Sequence, residues 1–152
     1  MLFRSDETLT CGCGKKGCLE QYASATGANL LMKRVLEASE EDSVLRGKDY
    51  TCRDIFDAAK KGDKLANEAI TQYGEYLGKG LAMIASTINP EIIVFGGGVS
   101  KAGDILFDLV RTSFEKYVFP GAKRTKFALA KLGNDAGIYG AAKLVLDSVS
   151  EK

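Results

Sequence analysis

The chain has 152 residues, 45% of them apolar and 27% charged, a balance that suits one domain around a single core and argues against disorder. Its 21 basic and 20 acidic residues leave a net charge of +1, so nothing favours nucleic acid or an anionic membrane as a partner. No apolar run nears the ~20 residues of a membrane span, and "MLFRSDETLT" lacks the apolar centre of a signal peptide. A cytoplasmic, reducing compartment is therefore expected, and there clustered cysteines read more readily as metal ligands than as disulfides.

The first feature along the chain is "CGCGKKGCLEQYASATG", from Cys11 to Gly27. Cys11, Cys13 and Cys18 have the form C-x-C-x4-C, with glycines that let a short backbone curl around one ion. Structural zinc takes four ligands tetrahedrally, commonly three cysteines and a histidine, yet the chain contains no histidine. Two other readings stay open: a turn stapled by one disulfide, or free thiols. Cys52 is a possible fourth ligand, but it opens an apolar helix and reads better as a small buried hydrophobe. An iron–sulfur cluster would need a fourth thiolate and meets the same difficulty. Glu20 follows at a helix start, where the helix dipole alone would favour an acid.

A helix is predicted from Glu20 to Ser39, then a polar connector, "EEDSVLRGKDYT". A short helix spans Thr51 to Lys61 and ends at Gly62. Leu65, Ala69, Ile70, Tyr73, Leu77, Leu81, Ile84 and Ile88 then mark one face of a long helix reaching about Thr87. Gly74, Gly78 and Gly80 lie inside it, which predicts a second backbone packed closely there. Asn89 and Pro90 stop the helix. "EIIVF" is a continuous β-branched and aromatic run, the pattern of a central parallel strand covered on both faces. A helix from Asp104 carries Leu106, Val110, Phe114 and Tyr117 on one face, and Pro120 and Gly121 break the chain after it. "KFALAKLG" predicts a second strand, and "NDAGIYGAAKLVLDSV" a closing helix with Ala141, Val145 and Val149 on one side. The fold class is α/β, with long helices and a partly parallel sheet.

Gly96, Gly97 and Gly98 stand between the buried strand and the next helix, where open α/β sheets bind ligands and where helix-start N–H groups suit phosphate. The triplet is not a Walker A loop, because no Gly-Lys-Ser/Thr follows. Nor is it G-x-G-x-x-G, because Lys101 holds the last position. Taken alone, a tight structural turn explains it equally well. No serine–histidine pair, paired histidines or aromatic-basic stripe supports a hydrolase, a histidine-based metalloenzyme or an RNA binder.

Together, "CGCGKKGCLEQYASATG", "NPEIIVFGGGVSKAGDILFDLVR" and "LGNDAGIYGAAKLV" resemble the C-terminal half of the ROK family, the bacterial sugar kinases and related repressors, over essentially the whole chain. The nearest branch is that of the bacterial glucokinases. The resemblance implies the C-terminal lobe of an actin-like ATPase (ribonuclease H-like) fold, incomplete, over residues 1–152, with a zinc knuckle at 11–18. It implies that Cys11, Cys13 and Cys18 are zinc ligands, and that the fourth is a histidine lying just before Met1. Glu20 would hydrogen-bond sugar hydroxyls. Gly96, Gly97, Gly98, Val99 and Ser100 would form the nucleotide-side loop for Mg-ATP. A homodimer is expected.

The family's Asp-x-Gly-Gly-Thr motif, its second phosphate loop and the catalytic Asp of its Asn-Asp pair do not occur in the chain, so no residue here is expected to be catalytic. The resemblance therefore implies an ATP-dependent hexose kinase, most closely a glucokinase, whose C-terminal fragment is inactive alone. The alternative is the sugar-sensing part of a ROK repressor, which would need a helix-turn-helix before Met1. A free-standing zinc-binding interaction domain is disfavoured by the missing fourth ligand. Without that ligand, the open position would fall to water, to a carboxylate such as Asp6, or to another chain. Weak zinc binding and a loosely held segment before Gly27 are then expected.

Overall fold

The computed structural model describes residues 1, 3–97, 99, 102–132 and 135–150. The sequence predicts one helix over 20–39, but two are present: α1 (Glu20–Ala23) and α2 (Ala25–Ala38). Ser24 separates them. Its backbone is extended at φ −107°, and its Oγ accepts the Gly27 N–H as an N-cap, so the hydroxyl ends one helix by starting the next. A capping box between Thr51 and Asp54 opens α3 (Cys52–Lys60). Asp63 caps α4 (Lys64–Ile88), which ends at Asn89 in the left-handed conformation, φ 46°.

The long helix α4 is the spine, packed by α2, α3 and α5 (Asp104–Tyr117). The close approach expected at its glycines is present. A Cβ on Gly78 would lie 2.6 Å from both the Val110 carbonyl oxygen and the Ser113 Cβ, and one on Gly74 would lie 2.6 Å from the Leu109 Cβ. Gly80 instead accommodates the Leu19 side chain. The expected apolar stripe holds as far as Leu81 but not beyond. Ile84 and Ile88 are exposed, while Ala82 and Ala85 are buried against Phe114, Val118 and Ala122. The small side chains let the two helices converge, and that turns the buried face away from the larger isoleucines.

Strand β1 (Ile92–Phe95) pairs in parallel with β2 (Lys126–Leu129), Ile92 opposite Lys126 and Phe95 opposite Leu129, with α5 as the crossover. These two strands are the only ones in the sheet among the described residues, so β1 is not central in it. The expected burial on both faces is not met either. Ile93 and Phe95 face the helices, whereas Ile92 and Val94 are 48% and 56% exposed. The closing helix α6 (Ala136–Ser150) buries none of its residues, including the expected side of Ala141, Val145 and Val149. The architecture is mixed α/β, mostly helical, with a small parallel sheet. No helix of the described residues is long and apolar enough to cross a membrane.

Candidate functional site

The cysteine segment is a tight hairpin. Thr10 and Lys16 form an antiparallel bridge, and the Cys11 N–H donates to the Lys15 carbonyl at 2.7 Å. Gly17 is required where it stands: its φ is +72°, and a Cβ there would fall 1.6 Å from the Arg4 carbonyl oxygen. The fold so produced brings the Cys11, Cys13 and Cys18 sulfurs within 4.8 Å of one another, with Cys13 and Cys18 at 3.4 Å. The Lys15 backbone N–H, followed by the Cys18 and Cys11 side chains, lowers the pKa of Cys13, whereas at Cys11 the Cys13 backbone N–H is outweighed by burial and the Glu20, Cys13 and Cys18 side chains, which push that thiol up to about 11. The donor set fits three corners of a tetrahedral zinc shell. Cys52 stays outside this cluster and packs against the main core, where burial pushes its thiol up to about 11. Asp6 is engaged by the Arg4 guanidinium. The carboxylate that does reach the cluster is Glu20, whose Oε2 accepts from the Cys11 thiol at 3.3 Å.

The segment before Gly27 is held more firmly than the sequence suggests, and by residues that sequence reasoning missed. Gln21 is buried and bridges both ends of the hairpin: its Nε2 donates to the Leu9 carbonyl at 2.9 Å, and its Oε1 accepts the Cys18 N–H at 3.0 Å. The buried Glu7 carboxylate accepts the Thr8 and Leu9 N–H groups, the Tyr22 hydroxyl and Arg34. A polar pattern at 7, 21, 22 and 34 has no periodicity, so only the folded chain brings these residues together.

On the nucleotide side, Gly96 follows β1, and Gly97 has φ +76°, where a side chain would be strained. Gly98 and Ser100 lie outside the described residues. Val99 lines a cavity of about 280 Å³ with Ala102 and with Cys52, Arg53, Phe56, Asp57 and Lys60 of α3. The α3 residues carried no sequence signal beyond an amphipathic helix. A second groove, of about 380 Å³, runs from Ala23 and Ser24 past Tyr73 to Gly96, Gly97 and Val99. The fold thus gathers the three cysteines and Glu20 at one end of α1, and a groove leads from the other end of that helix to the glycine loop.

The profile described as the ROK family matches residues 2–148. The chain is 44% identical over 143 residues to a glucokinase of Halalkalibacterium halodurans, covering 89% of this chain and 42% of that protein. It is 33% identical over 139 residues to the DNA-binding transcriptional repressor Mlc of Escherichia coli, covering 91% of this chain and 34% of the repressor. Among solved structures, a ROK family glucokinase from Streptomyces griseus in complex with glucose and AMPPNP superposes with a TM-score of 0.78 at 33% identity, over 93% of this chain and 48% of that one. The chain thus spans less than half the length of each of these relatives.

Proposed function

Because this chain belongs to the ROK family, we propose that it is the C-terminal part of a cytoplasmic, ATP-dependent hexose kinase, with glucose as the sugar. Residues 1–152 would be the C-terminal lobe of an actin-like ATPase fold, bearing the zinc knuckle, one wall of the sugar site and one wall of the nucleotide site. The observation that carries this reading is the convergence of Cys11, Cys13, Cys18 and Glu20 at the start of α1, in a chain 44% identical to a glucokinase.

Cys11, Cys13 and Cys18 would hold a zinc ion, which when bound cross-links the hairpin and supplies no redox or Lewis-acid step. The hairpin sets the position of Glu20, two residues after Cys18. The exposed Glu20 carboxylate accepts charge-assisted hydrogen bonds, which suits sugar hydroxyls. Gly96, Gly97, Gly98, Val99 and Ser100 would let backbone approach Mg-ATP. Phosphoryl transfer depends on positioning and charge stabilisation from both sides of a cleft. No residue of this chain takes the proton from the sugar, so the chain alone is expected to be inactive. Homodimerisation belongs to the same reading.

The test joins the N-terminal half of the Halalkalibacterium glucokinase to this chain. The chimera should phosphorylate glucose with ATP, and Glu20→Gln should weaken glucose binding by roughly tenfold while ATP affinity holds. Equal glucose affinity in the two proteins by calorimetry would return Glu20 to the role of a helix-start acid. The chain alone should hold zinc weakly. Stoichiometric zinc surviving a mild chelator would show that a fourth ligand exists in this chain or its partner.

A second reading, the sugar-sensing part of a repressor, is supported by the likeness to Mlc. A folded chimera that binds glucose without phosphorylating it would favour that reading.

A further inference from the structure

Helix α1 has four residues, Glu20–Ala23, and Leu19 supplies no side-chain cap at its start. A single helical turn does not hold itself in water, so the surroundings of α1 decide how it is set. Three of its residues are tied down. Tyr22 is buried, and its hydroxyl donates to the Glu7 carboxylate. The Ala23 carbonyl accepts the Tyr73 hydroxyl of α4 at 3.0 Å. Gln21 is buried and grips the hairpin with both ends of its amide, through the Leu9 carbonyl and the Cys18 N–H. Glu20 is the exposed residue of the helix, and its carboxylate accepts from the Cys11 thiol.

We propose that Gln21 is a positioning residue for Glu20: by spanning the hairpin it sets the roll of α1, and with it the direction in which the Glu20 carboxylate meets a sugar hydroxyl. The inference rests on the sugar reading of Glu20 and adds to it the group that aims it. Successive helical residues point about 100° apart, so fixing the side chain at 21 fixes the direction of its neighbour at 20. The two partners of Gln21 make opposite demands. Leu9 presents an acceptor and Cys18 a donor, on either side of Cys11 and Cys13, and a primary amide answers both at once. An apolar side chain of the same length answers neither, and α1 is then free to turn. The hairpin keeps its own backbone bonds, from the Cys11 N–H to Lys15 and from the Phe3 N–H to Gly17, so the thiols stay together. Hydrogen bonds from hydroxyls to a carboxylate weaken steeply off their axis, so a turned Glu20 loses them.

The test uses the glucokinase chimera, which carries the full chain, with calorimetry against glucose and against Mg-ATP. Gln21→Met should raise the glucose Kd and KM roughly fivefold, with ATP affinity, kcat and zinc content as in the unsubstituted chimera. In a Glu20→Gln background the same change should add less than about twofold, because the group it aims is already gone, whereas a merely structural role adds the same factor in both backgrounds. Gln21→Asn keeps the amide but is one methylene too short to span both partners. Its glucose affinity should fall between those of the unsubstituted chimera and Gln21→Met, and it stands in if Gln21→Met does not fold. If Glu20→Gln weakens glucose binding while the Gln21 variants bind normally, the positioning role is wrong and the sugar reading survives. An equal loss in both backgrounds, or loss of zinc or ATP affinity along with glucose affinity, also overturns the positioning role. If Glu20→Gln leaves glucose affinity unchanged, the sugar reading fails and takes this inference with it.

Discussion

Helices α5 and α6 are alike in length and in their place in the chain order. Each follows a strand of the same sheet, they have 14 and 15 residues, and each carries an apolar stripe. In the fold they part. α5 buries Leu106, Val110 and Phe114 completely or nearly so, whereas α6 buries nothing. The difference lies in what faces them. α5 meets Gly74 and Gly78 of α4, where the missing side chains let its backbone approach, and Ser113 Oγ donates to the Glu75 carbonyl at 2.9 Å. None of the residues of α6 is buried, and the outer face of β1, with Ile92 and Val94, is likewise open. An apolar stripe states which face of a helix wants cover. It does not state what provides that cover.

The sharpest way to break the comparison is to remove the anchor of α5. Phe114 is fully buried and stacks edge-on against Phe127 with ring centroids 5.1 Å apart, which ties α5 to β2. Phe114→Ala should cost about 3–5 kcal/mol in urea unfolding, from lost burial plus the cavity left behind. A smaller effect is expected from the other side of the same contact. Gly78→Val would drive a Cβ against the Val110 carbonyl and the Ser113 Cβ, and should cost roughly 3 kcal/mol by overpacking. A loss under ~1 kcal/mol for Gly78→Val would mean that the helices separate easily and that the glycines are not what distinguishes α5 from α6.

The cysteine hairpin extends the comparison, because it is held by polar bonds in place of apolar burial. The Tyr22 hydroxyl, together with the Leu9 N–H and Arg34, outweighs burial and lowers the pKa of Glu7 from 4.5 to about 2. A carboxylate whose folded pKa is depressed stabilises the fold above its unfolded pKa, and that contribution is lost as protons bind. The hairpin should therefore weaken as pH falls from 4.5 towards 2. Glu7→Gln should cost roughly 2 kcal/mol at neutral pH and should flatten that part of the stability profile. Asp6 titrates beside Arg4 in the same window, so the wild-type minus variant difference is the quantity to read. An unchanged acid limb in Glu7→Gln would remove Glu7 as the clasp of the hairpin.

Much of this was legible in the sequence, for identifiable reasons. The glycines of α4 announced a close backbone, because a helix tolerates their cost only when something gains from the missing Cβ. Cys11, Cys13 and Cys18 were legible because ligand spacing within a short loop is local. The break at Ser24 was not, since the flanking apolar pattern runs through it and only the cap geometry shows it. Gln21 and Glu7 were also missed, because the groups they hold, Leu9, Tyr22 and Arg34, are distant from them in the chain. The strand "EIIVF" was identified, but its two-sided burial was inferred from composition, and composition does not supply the second layer.

The smallest effect tests the other half of the comparison. Val145 sits mid-way along α6 and is 63% exposed, so removing it takes away little buried surface. Val145→Ser exchanges two residues of similar helix propensity, so neither the helix nor the core should register the change, and the stability of the chain should move by less than about 0.5 kcal/mol. The same substitution also reads out cover from outside the chain. If α6 lies bare, the small effect is the same at every protein concentration. If a second copy covers it, wild-type Tm rises with concentration, because association favours the folded form, and Val145→Ser lowers that slope. A large effect independent of concentration would place Val145 in a core within this chain and would erase the contrast with α5.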